Sequence, residues 1–112
     1  MPDVPLVDVA SIPPDAVLLD CRNDDEWAAG HIDGALHVEM NSIPQQLQFD
    51  PGPLTPEAHI VVTCKVGSRS AHVVAWLNQN GFHASSLDGG MVAWVHAGRP
   101  IVGDGAGEPA II

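Results

Sequence analysis

Positive charge is scarce in this chain. Four Lys and Arg residues stand against fourteen Asp and Glu, which gives a formal net charge of −10 at pH 7. Nucleic acid and anionic membranes both need a basic surface, so this balance argues against either as a partner. Cysteine is also rare. Cys21 and Cys64 make neither a Cys-x-x-Cys metal pair nor a disulfide framework, so a reducing compartment is the simpler reading and the cytoplasm the expected location. The opening Met1-Pro2-Asp3-Val4-Pro5 has no basic segment followed by a long apolar one, and no run approaches membrane-spanning length. The six histidines, His31, His37, His59, His72, His83 and His96, form no i, i+4 pair and no tight ligand cluster, so no metal site is expected. There is no internal repeat. A chain of 112 residues is one domain, able to bury roughly 60 to 70% of its unfolded surface without staples.

What is present is organised around Thr63-Cys64-Lys65-Val66-Gly67-Ser68-Arg69-Ser70. The run before it, His59 to Thr63, is short and β-branched, and it is bounded by Pro56 and by the Gly67 turn, which predicts a buried strand. After it, Ala71 to Asn80 has helix length, with apolar residues nearly all round and Gly81 as a C′ stop. Cys64 is therefore expected in a strand-to-helix turn. Backbone N–H groups there have no intrahelical partner and favour negative charge, and Lys65 and Arg69 add two cations. A free thiol titrates near pH ~8.5, and helix N-termini and nearby cations lower that value. Cys64 is thus a candidate thiolate nucleophile, with burial as a small hydrophobe the alternative. The overall acidity opposes an anionic substrate. Exposed charges are screened beyond about 8 Å at physiological salt, however, so Lys65, Arg69 and the loop amides dominate locally and a small anion can be held.

The rest of the chain alternates. Val4 to Val9 predicts a first strand and Ala16 to Leu19 a second, followed by a short helix capped by Asn23 or Asp24 and ending at Gly30. Ala35 to Val38 predicts a third strand, Ser42 to Leu47 a short helix, and Asp50-Pro51-Gly52-Pro53 a loop. Beyond the central strand and long helix come a strand over His83 to Leu87 and a helix over Gly90 to Ala97. Strands alternating with helices predict an α/β fold with a parallel sheet covered on both faces. Residues 1–102 are expected to form the domain and residues 103–112, rich in glycine, a mobile tail. Ligands of such sheets bind beyond the carboxyl ends of the strands, where Cys64 stands.

Three stretches, in order, resemble the rhodanese (thiosulfate sulfurtransferase) family and together reach Pro100. They are Leu19-Asp20-Cys21-Arg22 with Glu26-Trp27 and Gly30 to Ala35; the Cys64 loop; and Leu87-Asp88-Gly89-Gly90-Met91-Val92-Ala93-Trp94 with Gly98-Arg99-Pro100. The resemblance implies a rhodanese-like three-layer sandwich with a five-stranded parallel sheet flanked by helices. It also implies a ping-pong reaction on Cys64: the thiolate takes the outer sulfur of thiosulfate, sulfite leaves, and the persulfide passes its sulfur to cyanide or a thiol. Lys65, Val66, Gly67, Ser68, Arg69 and Ser70 would form the anion cradle, with no metal or organic cofactor. Related phosphatases and arsenate reductases place five residues between Cys and Arg, whereas four, Lys65 to Ser68, separate Cys64 from Arg69 here, which favours sulfur over phosphate as the reacting centre. The main alternative is a persulfide carrier or binding module that presents Cys64 to a protein sulfur donor or acceptor.

Other polar residues have plain structural readings. Asp20 and Arg22 are expected to form an ion pair at a strand end rather than to bind substrate, and Glu26 and His31 are read the same way. Trp27, Trp76 and Trp94 fit helix faces and are expected in the core. Cys21 departs from the family's pattern, which usually has an aliphatic residue there. Burial as a small hydrophobe is the first reading of Cys21. The family's sheet would place its strand beside that of Cys64, about 5 Å away, so a disulfide with oxidised Cys64 is the minor alternative.

Overall fold

A computed structural model describes residues 2–112. Among the described residues the strands and α-helices run β1 (Leu6–Val7), β2 (Val17–Asp20), α1 (Asp24–Ala29), β3 (Leu36–His37), α2 (Ile43–Phe49), β4 (His59–Thr63), α3 (Ser68–Gln79), β5 (His83–Leu87) and α4 (Gly90–His96), alternating from β2 onward. The five strands form one parallel sheet in the order β1-β5-β4-β2-β3, so β4 is central. The three-layer α/β expectation holds.

Strand alternation divides the apolar residues between two cores. Leu19, Ile60, Val62 and Ala84 face one side and pack with Ile43 of α2 and Val73, Val74 and Leu77 of α3. Val61 and Leu87 face the other and pack with Ile32 and with Met91 and Trp94 of α4. Cys21 and Cys64 lie in the first core. No helix among the described residues is long and apolar enough to cross a membrane.

Several boundaries differ from the sequence reading. The inner strands β4 and β5 have the predicted limits, whereas the edge strands β1 and β3 shrink to two residues each. Edge positions have one neighbour to hold them, and Val9–Ser11 leaves the sheet as a 3₁₀ turn. Helix α2 runs two residues further, to Phe49. Helix α3 begins at Ser68 rather than Ala71. Its first turn is polar and so carries no apolar periodicity, but Ala71 N–H already donates to Gly67 O at 3.1 Å.

The third family-like stretch closes on itself, with Trp94 Nε1–H donating to Pro100 O at 2.9 Å and Arg99 lying over the Trp94 ring. The segment 103–112 runs along α1. Asp104 N–H donates to Ala28 O, Ala110 N–H donates to Ala29 O, and Ile111 packs against the second core. Ala110 O passes so close to Gly30 that an added Cβ would stand 2.5 Å from it.

Candidate active site

The central strand β4 delivers the chain to Cys64 at the carboxyl edge of the sheet. The neighbouring connections diverge there: β2 leads through α1 to β3 on one side, and β4 leads through α3 to β5 on the other. That is a topological switch point, where parallel α/β sheets open a crevice.

Lys65, Val66 and Gly67 turn the chain from Cys64 into α3. Gly67 does so with φ 111°, a conformation a Cβ opposes. The turn folds back over the sulfur. Cys64 Sγ accepts the Gly67 N–H at 3.1 Å and the Ser70 N–H at 3.4 Å, and it lies 3.5 Å from Ser70 Oγ. Ser70 Oγ in turn lies 2.7 Å from Ser86 Oγ on β5 and 3.1 Å from Gly67 O.

These contacts set the thiol's acidity. Burial pushes the Cys64 pKa up, but the Ser70 hydroxyl and the N–H groups of Ser70, Gly67 and Val66 outweigh burial and hold it below its ordinary value. The thiolate is favoured by hydrogen bonds at the amino end of α3. Cys64 itself has 0% of its surface exposed, beneath a crest where Val66 is 58% exposed.

The two cations of the loop diverge in role. Lys65 is exposed. Arg69 is held by α1: its guanidinium donates to Glu26 Oε1 at 2.7 Å and Oε2 at 2.9 Å. The Arg69 hydrogen bond brings the Glu26 carboxyl down to about 2, and Glu26 raises Arg69 in return. Glu26 Oε1 also accepts the Asn23 N–H at the start of α1, so one carboxylate caps that helix and anchors the loop's arginine. Ser68 is exposed in the first turn of α3. The cradle thus unites Cys64, Val66, Gly67 and Ser70 around the sulfur, while Arg69 is turned to α1.

The expected structural pair of Asp20 and Arg22 is present. Arg22 is 0% exposed, donates through Nε and Nη2 to the Asp20 carboxylate and through Nη2 to Gly30 O, and its Nη1 has no partner among the described residues. The Trp27 ring is sandwiched between His31, with centroids 3.7 Å apart, and His37, at 4.7 Å. His31 and His37 are tied to Trp27 O and Arg22 O, which fixes the first family-like stretch as a clamp beside the site.

Ser86 was not singled out in the sequence, and the bracing role of Gly90 and Met91, quoted there only as part of the third stretch, was not foreseen. Ser86 completes the hydroxyl chain to Sγ; its signal is a serine pair, Ser85-Ser86, inside a buried strand, where hydroxyls need partners. Gly90 and Met91 brace the loop from below. Met91 N–H donates to Cys64 O at 2.8 Å and Val92 N–H to Lys65 O at 3.1 Å, and a Cβ on Gly90 would stand 2.5 Å from Cys64 O.

Comparison with known proteins points the same way. The family described as the rhodanese-like domain matches residues 7–97. A sulfurtransferase of Allochromatium vinosum is 36% identical over 89 residues, covering 79% of this chain and 79% of that protein. The crystal structure of a rhodanese-related protein from Thermoplasma volcanium superposes with a TM-score of 0.74 at 25% identity, covering 88% of this chain and 97% of that one. A tRNA uridine(34) hydroxylase of Wigglesworthia glossinidia brevipalpis is 34% identical over 85 residues, which is 73% of this chain and only 27% of the larger protein.

Proposed function

Since the chain belongs to the rhodanese-like domain family, we propose that it is a sulfurtransferase that takes a sulfane sulfur from thiosulfate, or a similar small anionic donor, onto Cys64 and passes it to a thiol or cyanide. The observation that carries this reading is the pair of backbone donors, Gly67 N–H and Ser70 N–H, that converge on Sγ, with Ser70 Oγ 3.5 Å away. A preorganised ring of donors favours an anionic sulfur before attack and during the charge transfer that follows. Four residues between Cys64 and Arg69 leave a cradle of sulfur size rather than one that wraps a tetrahedral oxyanion.

In the first half-reaction the Cys64 thiolate attacks the donor's outer sulfur, and the S–S electron pair leaves with sulfite. In the second, the acceptor attacks that sulfur on the persulfide, and Cys64 recovers its thiolate. Cys64 has no exposed surface, so the donor reaches it when the crest at Val66 and Gly67 lifts. Lys65, the exposed cation, meets the donor's charge first. Arg69 keeps the loop registered to α1 through Glu26, Val66, Gly67 and Ser70 form the cradle around the sulfur, and Ser68, exposed beside it, is open to the donor.

One observation favours a second reading. The apolar side chain of Val66 is 58% exposed over a covered sulfur, as suits a module whose loop opens against a protein donor or acceptor. The deciding experiment is intact-mass measurement after incubation with thiosulfate, for the native chain and for Cys64→Ser, followed by cyanide addition and a thiocyanate assay. One added sulfur on the native chain only, discharged as thiocyanate, is the expected result. Absence of that adduct would overturn thiosulfate as donor and favour loading by a protein.

A further inference from the structure

Cys21 is the one chemically reactive side chain at the switch point that the proposed cycle leaves unused. Its placement follows from the sheet register. Leu19 pairs with Val62 and Asp20 with Thr63, and Cys21 N–H donates to Thr63 O at 3.1 Å, so Cys21 and Cys64 occupy the next rung of the same ladder. Alternation puts Leu19, Cys21, Val62 and Cys64 on one face, and all four belong to one buried cluster. Adjacent strands lie about 4.8 Å apart, and a disulfide spans Cα separations of about 4.4 to 6.8 Å. Both thiols are free, with Cys21 1% exposed and Cys64 0%.

Resting on the reading of Cys64 as a persulfide carrier, we propose that Cys21 is an internal acceptor that discharges the Cys64 persulfide as sulfide and closes a Cys21–Cys64 disulfide. The sulfur of Cys21 attacks Cys64 Sγ, the bond from Sγ to the outer sulfur breaks, and its electron pair leaves with the outer sulfur as hydrosulfide. The proton lost by Cys21 accompanies it. The outer sulfur is reduced to sulfide as Cys21 is oxidised, so the step needs no external oxidant. A dithiol reductant then reopens the disulfide and restores both thiols.

The surroundings keep the two sulfurs in separate roles. Burial first, then the charge of Cys64 and that of Asp20, push the Cys21 thiol up to about 12, against a smaller opposite pull from Arg69. Cys21 thus stays protonated while Cys64 is the thiolate that meets the donor. The internal exchange is slow beside transfer to a good external acceptor, and it governs the fate of a persulfide that finds none. It gives the chain a second output, sulfide.

The test uses the full chain in native form and as Cys21→Ala and Cys21→Val, the latter restoring volume should the alanine loosen the core. Each is loaded with thiosulfate, desalted, and followed without acceptor by intact mass, sulfide assay and peptide mapping. In the native chain the one-sulfur adduct should give way to a monomer two hydrogens lighter than the starting protein, with released sulfide and a Cys21–Cys64 linked peptide. Both variants should keep their adduct at least about tenfold longer. Equal adduct lifetimes, or an adduct lost with no linked peptide, overturn the proposal. Failure to form any adduct counts against thiosulfate as donor, and loading with inorganic polysulfide then puts the same question to Cys21.

Discussion

Ser70 Oγ has one proton and three neighbours that can take it: Cys64 Sγ, Gly67 O and Ser86 Oγ. When Cys64 is a thiol, its S–H can donate to Ser70, which then donates to Gly67 O. When Cys64 is a thiolate, the Ser70 proton turns to sulfur, and Ser86, with Ser70 as its hydrogen-bond partner, donates to Ser70 Oγ. A hydrogen bond to a charged group contributes about 1.5 to 3 kcal/mol, and one pKa unit is about 1.4 kcal/mol. Ser70→Ala should therefore raise the Cys64 pKa by about one unit or more, and Ser86→Ala should raise it less. The pH profile of iodoacetamide alkylation checks this, and an unshifted profile in Ser70→Ala would refute the hydroxyl's role. Cys64 and its loop were legible because strand, glycine turn and helix lie within one short stretch. Ser86 and the anchoring of Arg69 were not, because their partners stand 16 and 43 residues away in sequence and meet only in the folded sheet.

At the scale of elements, the site is a joint between β4, α3 and the start of α4. Backbone donors of α4 hold the Cys64 and Lys65 carbonyls, and this closeness is possible because Gly90, at φ 60°, has no side chain. A Cβ there would stand 2.5 Å from Cys64 O and 2.6 Å from Lys65 O, both rigid backbone atoms. Gly90→Ala therefore combines left-handed backbone strain of about 1 kcal/mol with a steric displacement of the loop, for a loss of about 2 kcal/mol or more. Urea denaturation should show that loss, and transfer activity should fall further than folding does, because the carbonyl that moves belongs to Cys64. A variant as stable and active as the native chain would mean α4 is no brace. The central strands β2 and β4 were legible because buried parallel strands read as near-continuous apolar runs, Val17-Leu18-Leu19 and Ile60-Val61-Val62. The true start of α3 was hidden by its polar first turn, Ser68-Arg69-Ser70, which carries no apolar periodicity.

Acid should weaken the whole molecule in two steps, one on each side of the sheet's length. His59, near the amino end of β4, stacks on His83 with ring centroids 4.3 Å apart. Burial first, then the charge of His83, hold its pKa below the ordinary 6.5, against a smaller opposing effect of Asp15. The unfolded chain binds that proton more readily, so stability declines as pH falls below about 6.5 and stops declining once the folded imidazole is also protonated. At the other end, Glu26 titrates at about 2 instead of 4.5, chiefly through its hydrogen bonds from Arg69. Its contribution is complete above 4.5 and is lost as pH falls toward 2. The pair is partly exposed, so solvent screening limits it to about 1 kcal/mol. Urea midpoints measured from neutral pH downward should decline first in the histidine range and again below 4.5, and Glu26→Gln should flatten the second decline while leaving the first. If Glu26→Gln keeps the full acid slope, the Glu26–Arg69 bridge does not couple α1 to the loop energetically, and the cradle must be held by α4 and the backbone alone.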